Sequence, residues 1–258
     1  LQSMYAESPE AVADMLQALA ISLADRDGLM VYMQGYEGAL EEMLSAITQA
    51  FPHTEDARQL STRPTAKGTR SALVVTPQAE ATVHYLQAGV FDGTQWARSG
   101  QMDIMGRVLQ NGYLLPELRN KRGAYGAQVV VENGYITLGA SGVSSIDETW
   151  QVLLGAGDYL RGLNMTQDYL DAIIVSAVST FDQYNSSGDY YAMEADMSGQ
   201  NTEWLISHRA EMLSTTVEDV KAYAGFIDAM IRQERVFAYT NEQGAKCSFP
   251  FSEITTLR

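Results

Sequence analysis

The dipeptide Asn133-Gly134 limits the possible folds of this chain more than any other feature. It lies between two short runs, residues 128–131 and 135–138, that are rich in β-branched and aromatic side chains. An Asn-Gly pair in this setting is typical of a two-residue type I′ turn, since both positions readily adopt positive φ angles. The sequence therefore predicts an antiparallel β-hairpin.

Further strands and a run of helices are indicated around this hairpin. Short apolar or alternating runs predict strands at residues 73–75, 82–90 and 235–239. Apolar residues at helical spacing predict helices over residues 99–109, 145–160, 166–181 and 202–213. This order predicts an α+β fold, with helices packed on one face of a largely antiparallel sheet.

Local signals refine the helical part. Asn111-Gly112 predicts an interruption, and Pro116 predicts a short new helix that runs toward Lys121. Thr215, with Glu218 three residues later, has the pattern of a capping box that opens a further helix.

The first 57 residues form a separate group of elements. Ser8 and Pro9 predict a helix start, residues 29–33 a short strand, and residues 40–51 a second helix. Residues 58–71 are polar, lack periodicity and are long for a loop inside a compact domain. We therefore interpret residues 58–71 as a linker between residues 1–57 and a domain at residues 72–258.

Composition excludes several classes of protein. With 258 residues and a hydrophobic fraction of 46%, the chain can bury a core, which excludes a disordered tail or a fibre. A net charge of -15 argues against non-specific nucleic-acid binding, since nucleic acid is also a polyanion. No apolar run approaches the roughly 20 residues that span a bilayer. The single cysteine, Cys247, excludes an internal disulfide and favours a reducing, cytoplasmic setting.

Linear metal motifs are missing from the sequence. The three histidines, His53, His84 and His208, lie far apart, and none belongs to an HxxEH or HxxxH pattern. The sequence leaves open a metal site that the fold assembles from His84, His208 and a carboxylate. The alternative places His84 on a half-buried strand and His208 on a helix surface.

Three other segments resemble site motifs but depart from them. Gly139 to Val143 misses the last glycine of a nucleophile elbow. Gly155-Ala156-Gly157 lies within a predicted helix, where it favours close helix packing over dinucleotide binding. The acidic segment 182–194 has Ser187 and Met193 where a calcium loop needs Gly and Glu.

One segment concentrates hydrogen-bond donors. Arg119, Lys121 and Arg122 lie together in an acidic chain, and Gly123 and Tyr125 follow. Guanidinium and phenol groups could hold a peptide carbonyl or carboxylate, or stabilise an oxyanion. The structural alternative is a helix end, where cations complement the macrodipole and Gly123 is the C′ residue.

The same segment resembles a family signature. Arg119, three residues, then Gly123-Ala124-Tyr125-Gly126 is similar to the R-x-x-G-G-A-Y-G motif of the pitrilysin family, the inverzincin zinc metallopeptidases. The likeness is to the presequence protease-like branch. Other segments resemble that branch in the same order, namely residues 28–51, 80–89, 149–160, 166–182 and 208–220.

The resemblance implies a fold and a place in a larger enzyme. It implies a LuxS/mitochondrial processing peptidase-like metallohydrolase domain at residues 72–258, and in residues 1–57 the C-terminal tail of a preceding domain of the same type. Such enzymes resemble a clamshell of four α+β domains, with zinc and HxxEH in the N-terminal half.

The resemblance also implies roles for particular residues. Arg119 and Tyr125 would reach the active site and bind the substrate or transition state, with Gly123, Ala124 and Gly126 supporting the loop. Arg122 departs from the motif, since the family has glycine there.

Three hypotheses follow. The first is the non-catalytic C-terminal part of a presequence protease-like zinc endopeptidase that degrades short unstructured peptides. That chain holds no metal, is inactive alone, and pairs with a catalytic half on the same protein or in a partner subunit, without nucleic acid or membrane. The second is a catalytically inactive scaffold or partner subunit, and the third is an unrelated α+β enzyme whose site is assembled in space.

Overall fold

The structure, a computed structural model, describes residues 8–23, 37–51, 71–77, 83–91, 98–132, 135–186 and 202–257. The chain divides into two compact units, Leu1–Lys67 with Ser187–Gln200 and Gly68–Ser186 with Asn201–Arg258. The predicted linker, residues 58–71, lies outside the described residues except for Ser71. The predicted domain boundaries therefore stay a prediction.

The described part of the first unit consists of two helices. Helix α1 is Pro9–Leu23 and α2 is Glu37–Ala50. The predicted start of α1 is confirmed, because the Ala11 N–H donates to Ser8 Oγ at 3.3 Å. The predicted strand at residues 29–33 lies outside the described residues.

The second unit contains a six-stranded sheet. Its strands are β1 (Ser71–Val75), β2 (Val83–Phe91), β3 (Gly126–Glu132), β4 (Tyr135–Ser141), β5 (Val236–Thr240) and β6 (Glu253–Thr256), in the spatial order β3-β4-β2-β5-β1-β6. The predicted hairpin is confirmed, since β3 and β4 pair antiparallel and their last pair, Glu132 with Tyr135, leaves a two-residue connection.

The predicted largely antiparallel sheet is not confirmed. β2 pairs antiparallel with β4 and β5, but β1 pairs in parallel with both β5 and β6. Strand β6 was also not predicted from the sequence. Alternation marks where a strand lies, whereas the direction of pairing between distant strands depends on the path of the chain.

Seven α-helices are described in the second unit. They are α3 (Gly100–Leu109), α4 (Ile146–Leu154), α5 (Ala156–Arg161), α6 (Gln167–Ser186), α7 (Thr202–Leu213), α8 (Val217–Ala222) and α9 (Ala224–Ile231). None of the described helices is both long and apolar enough to cross a membrane.

Two helix predictions need correction. The helix predicted over residues 145–160 is two helices, because Gly155 ends α4 and begins α5. The capping box involves Thr216 and Asp219, one residue later than predicted, since Thr215 is 1% exposed and its hydroxyl donates to the Glu211 carbonyl.

The predicted close packing at Gly157 is confirmed, because a Cβ there would lie 3.0 Å from the Ala224 carbonyl of α9.

The core of the second unit lies around α3. Ile104 and Met105 of α3 are fully buried, as are Ile136 and Leu138 of β4 and Leu160 of α5. Each such side chain contributes roughly 1.5–3 kcal/mol relative to leaving it exposed. Helix α3 therefore holds in place the segment that follows it, which carries the candidate site.

Candidate functional site

The candidate site follows a π-helical segment, Gln110–Asn120, that continues directly from α3. The sequence predicted a break at Asn111-Gly112 and a new helix at Pro116, and this is wrong. Pro116 has no N–H to donate, and the turn around it is widened, so that the Lys121 N–H donates to Pro116 O, five residues earlier. Leu114 and Leu118 are 0% and 1% exposed and anchor the segment in the core.

Gly123 ends the helical path. Its φ is 72°, a left-handed conformation that favours glycine, and its N–H donates to Arg119 O at 3.1 Å. The Ala124 N–H donates to Leu118 O at 3.0 Å. The predicted C′ role of Gly123 is thus confirmed, and the loop leaves the helix in a fixed direction.

The three cations of this segment have different surroundings. Lys121 Nζ pairs with Glu117 Oε1, and Arg122 Nη1 lies 3.0 Å from Glu117 Oε2 and 2.8 Å from the Glu117 carbonyl oxygen. Hydrogen bonds from Lys121 and Arg122 hold the pKa of Glu117 below its ordinary value. The Arg119 side chain is exposed and has no hydrogen-bond or ion-pair partner among the described residues. Arg119 is therefore the cation of this cluster that keeps its donors available.

The departure at Arg122 is accommodated by these contacts. Its guanidinium is held by Glu117, and its Nε lies 3.8 Å from Glu148 Oε2. The larger side chain therefore packs back along the helix, and Gly123 still provides the left-handed turn.

Tyr125 has a fixed backbone and an exposed ring. Its side chain is 84% exposed, whereas its N–H donates to Ser141 O at 2.9 Å at the end of β4. Ala124 is buried before it, and Gly126 begins β3 after it. The Tyr125 hydroxyl has no hydrogen-bond partner within the described part of the chain.

Gly142 also supports this loop, although no motif in the sequence marks it. Its φ is 60°, and a Cβ at this position would lie 2.8 Å from Tyr125 Cβ. A glycine directly after a strand is the local signal for such a position. Arg119 and Tyr125 thus lie on either side of the Gly123 turn, both exposed, with their backbones held by the core and by β4.

The prediction that His208 lies on a helix surface is wrong. His208 is 2% exposed, and its ring stacks on Trp204 and Phe181 with centroids 4.4 Å and 5.3 Å away. Its Nε2 lies 2.9 Å from Asp103 Oδ2, and Arg98 Nη2 lies 2.7 Å from the same oxygen. The signal was ambiguous because α7 has apolar and polar residues all round.

This cluster shifts the ionisation of Asp103. Burial alone would raise the pKa of Asp103, but hydrogen bonds from His208 and Arg98 outweigh it and hold the pKa below its ordinary value. His208 Nδ1 has no hydrogen-bond partner among the described residues. The described residues include no group of three or more His, Cys, Asp or Glu placed to hold a metal ion, and the His84 side chain and His53 lie outside them.

Comparison of the sequence with known proteins identifies a family model and a curated relative. Residues 72–241 match the family model of the PreP C-terminal domain. Presequence protease 1, chloroplastic/mitochondrial, of Arabidopsis thaliana is 23% identical over 238 residues, which are 89% of this chain and 22% of that protein. The chain therefore spans about a fifth of the length of that relative.

Solved structures show a similar fold. A protease from Helicobacter pylori superimposes with a TM-score of 0.56 at 15% identity, over 81% of this chain and 53% of that one. A peptidase M16 inactive domain from Pseudomonas fluorescens gives 0.50 at 15% identity, over 86% and 52%.

Proposed function

The chain belongs to the PreP C-terminal domain family, and from this we propose that it is the non-catalytic C-terminal part of a presequence protease-like zinc endopeptidase. Its partner is an N-terminal catalytic half, on the same protein or in a partner subunit. The chain closes a chamber in which short unstructured peptides are cleaved. In this proposal residues 72–258 form a LuxS/mitochondrial processing peptidase-like domain with helices on one face, and residues 1–57 end a preceding domain of the same type.

One observation carries the assignment of residues to this role. Of the three neighbouring cations, Lys121 and Arg122 are paired with Glu117, whereas Arg119 is exposed and unpaired among the described residues. A cation that only completed a helix end would satisfy the last carbonyls or a nearby carboxylate. The free guanidinium on a backbone fixed by Leu118 and Gly123 supports a role toward a ligand.

Arg119 and Tyr125 would act by donating hydrogen bonds. The guanidinium offers a planar fork of donors to a peptide carbonyl or carboxylate, and the Tyr125 hydroxyl offers one more. Donors aimed at the carbonyl oxygen stabilise the negative charge that develops on it in the transition state. Such donors act best when their backbones are already positioned, as the Gly123 turn and the bond from Tyr125 to Ser141 provide.

Zinc enters this proposal only through the other half. When bound there by HxxEH, it would polarise the scissile carbonyl and activate water. The described residues of this chain offer no metal-binding group, and His208 is committed to Asp103. Gly123, Ala124 and Gly126 would support the loop, and none of them would touch zinc.

We expect the isolated chain to be inactive and free of tightly bound zinc. Elemental analysis after ordinary purification should find far less than one zinc per chain, and a quenched fluorogenic peptide should stay uncut. Zinc near one per chain would contradict the proposal. Variants His84→Ala and His208→Ala would then show which histidine holds it.

An inactive scaffold is the alternative function. The observation that favours it is Arg122, which replaces the first glycine of the family loop and ties that loop to Glu117 and Glu148. A scaffold would tolerate loss of the Arg119 guanidinium, so the two functions differ in the effect of Arg119→Ala on cleavage.

A further inference from the structure

The second unit contains a cavity of about 570 Å³ away from the Arg119–Tyr125 loop. It lies between the start of the π-helical segment, the end of α5 and the start of α6. Its apolar lining comes from Val108, Leu163 and Ile173. It is an open cleft with a mixed polar and apolar lining, and its volume falls within the range of ligand sites.

Four polar side chains at this cavity are uncommitted. Asn111, Asn164, Tyr159 and Tyr169 line it, and their side chains have no hydrogen-bond partner among the described residues. The neighbouring Tyr113 differs, because its hydroxyl donates to the Val152 carbonyl at 2.9 Å. Thr166 also lines the cavity, and its Oγ1 accepts from the Tyr169 N–H at 3.3 Å. The cavity therefore presents two amides and three hydroxyls, and each of these groups can both donate and accept.

Tyr159 is held in a defined position. Its ring stacks on Tyr113 with centroids 4.9 Å apart, and a Cβ at Gly112 would lie 2.2 Å from its hydroxyl oxygen. The pKa of Tyr159 is raised mainly by burial and further by the neighbouring Tyr169. The hydroxyl thus stays protonated at neutral pH and remains a donor.

The lining selects the chemistry of a ligand. It includes no charged side chain among the described residues, so it offers no counter-ion to a phosphate, a carboxylate or an ammonium group. Groups that both donate and accept suit a peptide main chain, which alternates N–H and C=O, and the apolar lining suits one hydrocarbon or aromatic side chain. The net charge of -15 favours basic residues outside the cavity.

We propose that this cavity binds an unstructured peptide segment through its main chain and one apolar or aromatic side chain. This inference rests on the proposed function, because the occupant is the same class of substrate. Asn111 and Gly112 begin the π-helical segment whose end carries Arg119, so one rigid element would connect the peptide-binding cavity to the site loop. The cavity is then a second contact that holds substrate without taking part in the cleavage.

Peptide binding to the intact isolated chain tests the proposal. The probe is a fluorescently labelled basic peptide that is unstructured and contains Leu and Phe, followed by anisotropy. Tyr169 is 62% exposed, so Tyr169→Ala should fold normally and raise the Kd at least about tenfold, as for an aromatic contact at a binding site. Asn111→Ala should also weaken binding, whereas Val175→Ala, on the same helix but outside the lining, is the matched control.

The other outcomes of the peptide-binding experiment would each contradict the proposal in a different way. Unchanged affinity in both Tyr169→Ala and Asn111→Ala, or no binding at millimolar peptide, would overturn the cavity proposal and leave the role of Arg119 intact. Equally tight binding of a free amino acid would indicate a small-molecule site, and self-association abolished by Tyr169→Ala would indicate a second copy. If cleavage fails on mixing with a catalytic half, the anisotropy result is unaffected, so the two proposals fail separately.

Discussion

Arg119→Ala should lower kcat/KM for a fluorogenic peptide by roughly a hundredfold in the peptidase assembled from this chain and its catalytic half. The substitution removes a fork of donors from the position where negative charge develops on the scissile carbonyl. A hundredfold loss corresponds to about 2.7 kcal/mol of transition-state stabilisation. Folding should be unchanged, because the Arg119 side chain is exposed and has no partner among the described residues.

Lys121→Ala is the matched control for Arg119→Ala. It removes a cation two residues away, and the Lys121 side chain is 63% exposed and paired with Glu117. An exposed pair of this kind contributes little to stability, so activity and unfolding temperature should stay close to wild type. Equal losses in both variants would indicate a general electrostatic effect, and a silent Arg119→Ala would favour the scaffold function.

Asp103→Ala should lower the free energy of unfolding of the chain by about 3–5 kcal/mol. Asp103 is 13% exposed and bonds both Arg98 and His208. Its loss leaves the buried His208 ring without its Nε2 partner, whereas Arg98 still lies 3.7 Å from Glu132. It also removes one contact between α3 and α7, which meet at Gly100 as well. Urea unfolding followed by circular dichroism measures the change.

Asp182→Ala provides the control for Asp103→Ala. Asp182 pairs with Arg209 on α7, but both side chains are 44–45% exposed, so the loss should stay below about 1 kcal/mol. Similar losses in the two variants would contradict the view that burial makes the Asp103 cluster important.

The difference in the free energy of unfolding between wild type and Asp103→Ala should also depend on pH. Its pKa is lowered in the folded state, so its stabilisation is present above the unfolded pKa of about 4 and is lost as pH falls through the folded value. The difference in the free energy of unfolding between wild type and Asp103→Ala should therefore become smaller under acidic conditions. A gap that stays constant from neutral pH to below pH 3 would contradict the linkage.

Local signals in the sequence were sufficient for most individual elements. Ser99 caps α3 by accepting from the Met102 N–H, and the register of β3 and β4 follows from Asn133-Gly134. These features depend on neighbours in sequence, which a pattern of residues records directly. The parallel pairing of β1 depends on strands more than a hundred residues away, and no local pattern contains it.

The site was only partly predictable for the same reason. The glycine turn at Gly123 could be foreseen, since it is a local helix end. The difference between the unpaired Arg119 and its two paired neighbours could not be predicted from the sequence. It depends on the direction in which Glu117 points from a widened helix. His208 was misplaced because its partner, Asp103, is on another helix.

Cleavage of a quenched fluorogenic peptide by the zinc-binding N-terminal half, with and without this chain, tests the central claim most directly. Activity that appears only on mixing, and saturates at one chain per half, is the result we predict. Full activity of the N-terminal half alone, or no activity after a complex has been verified by size-exclusion chromatography, would contradict the role of this chain as the completing half of the peptidase.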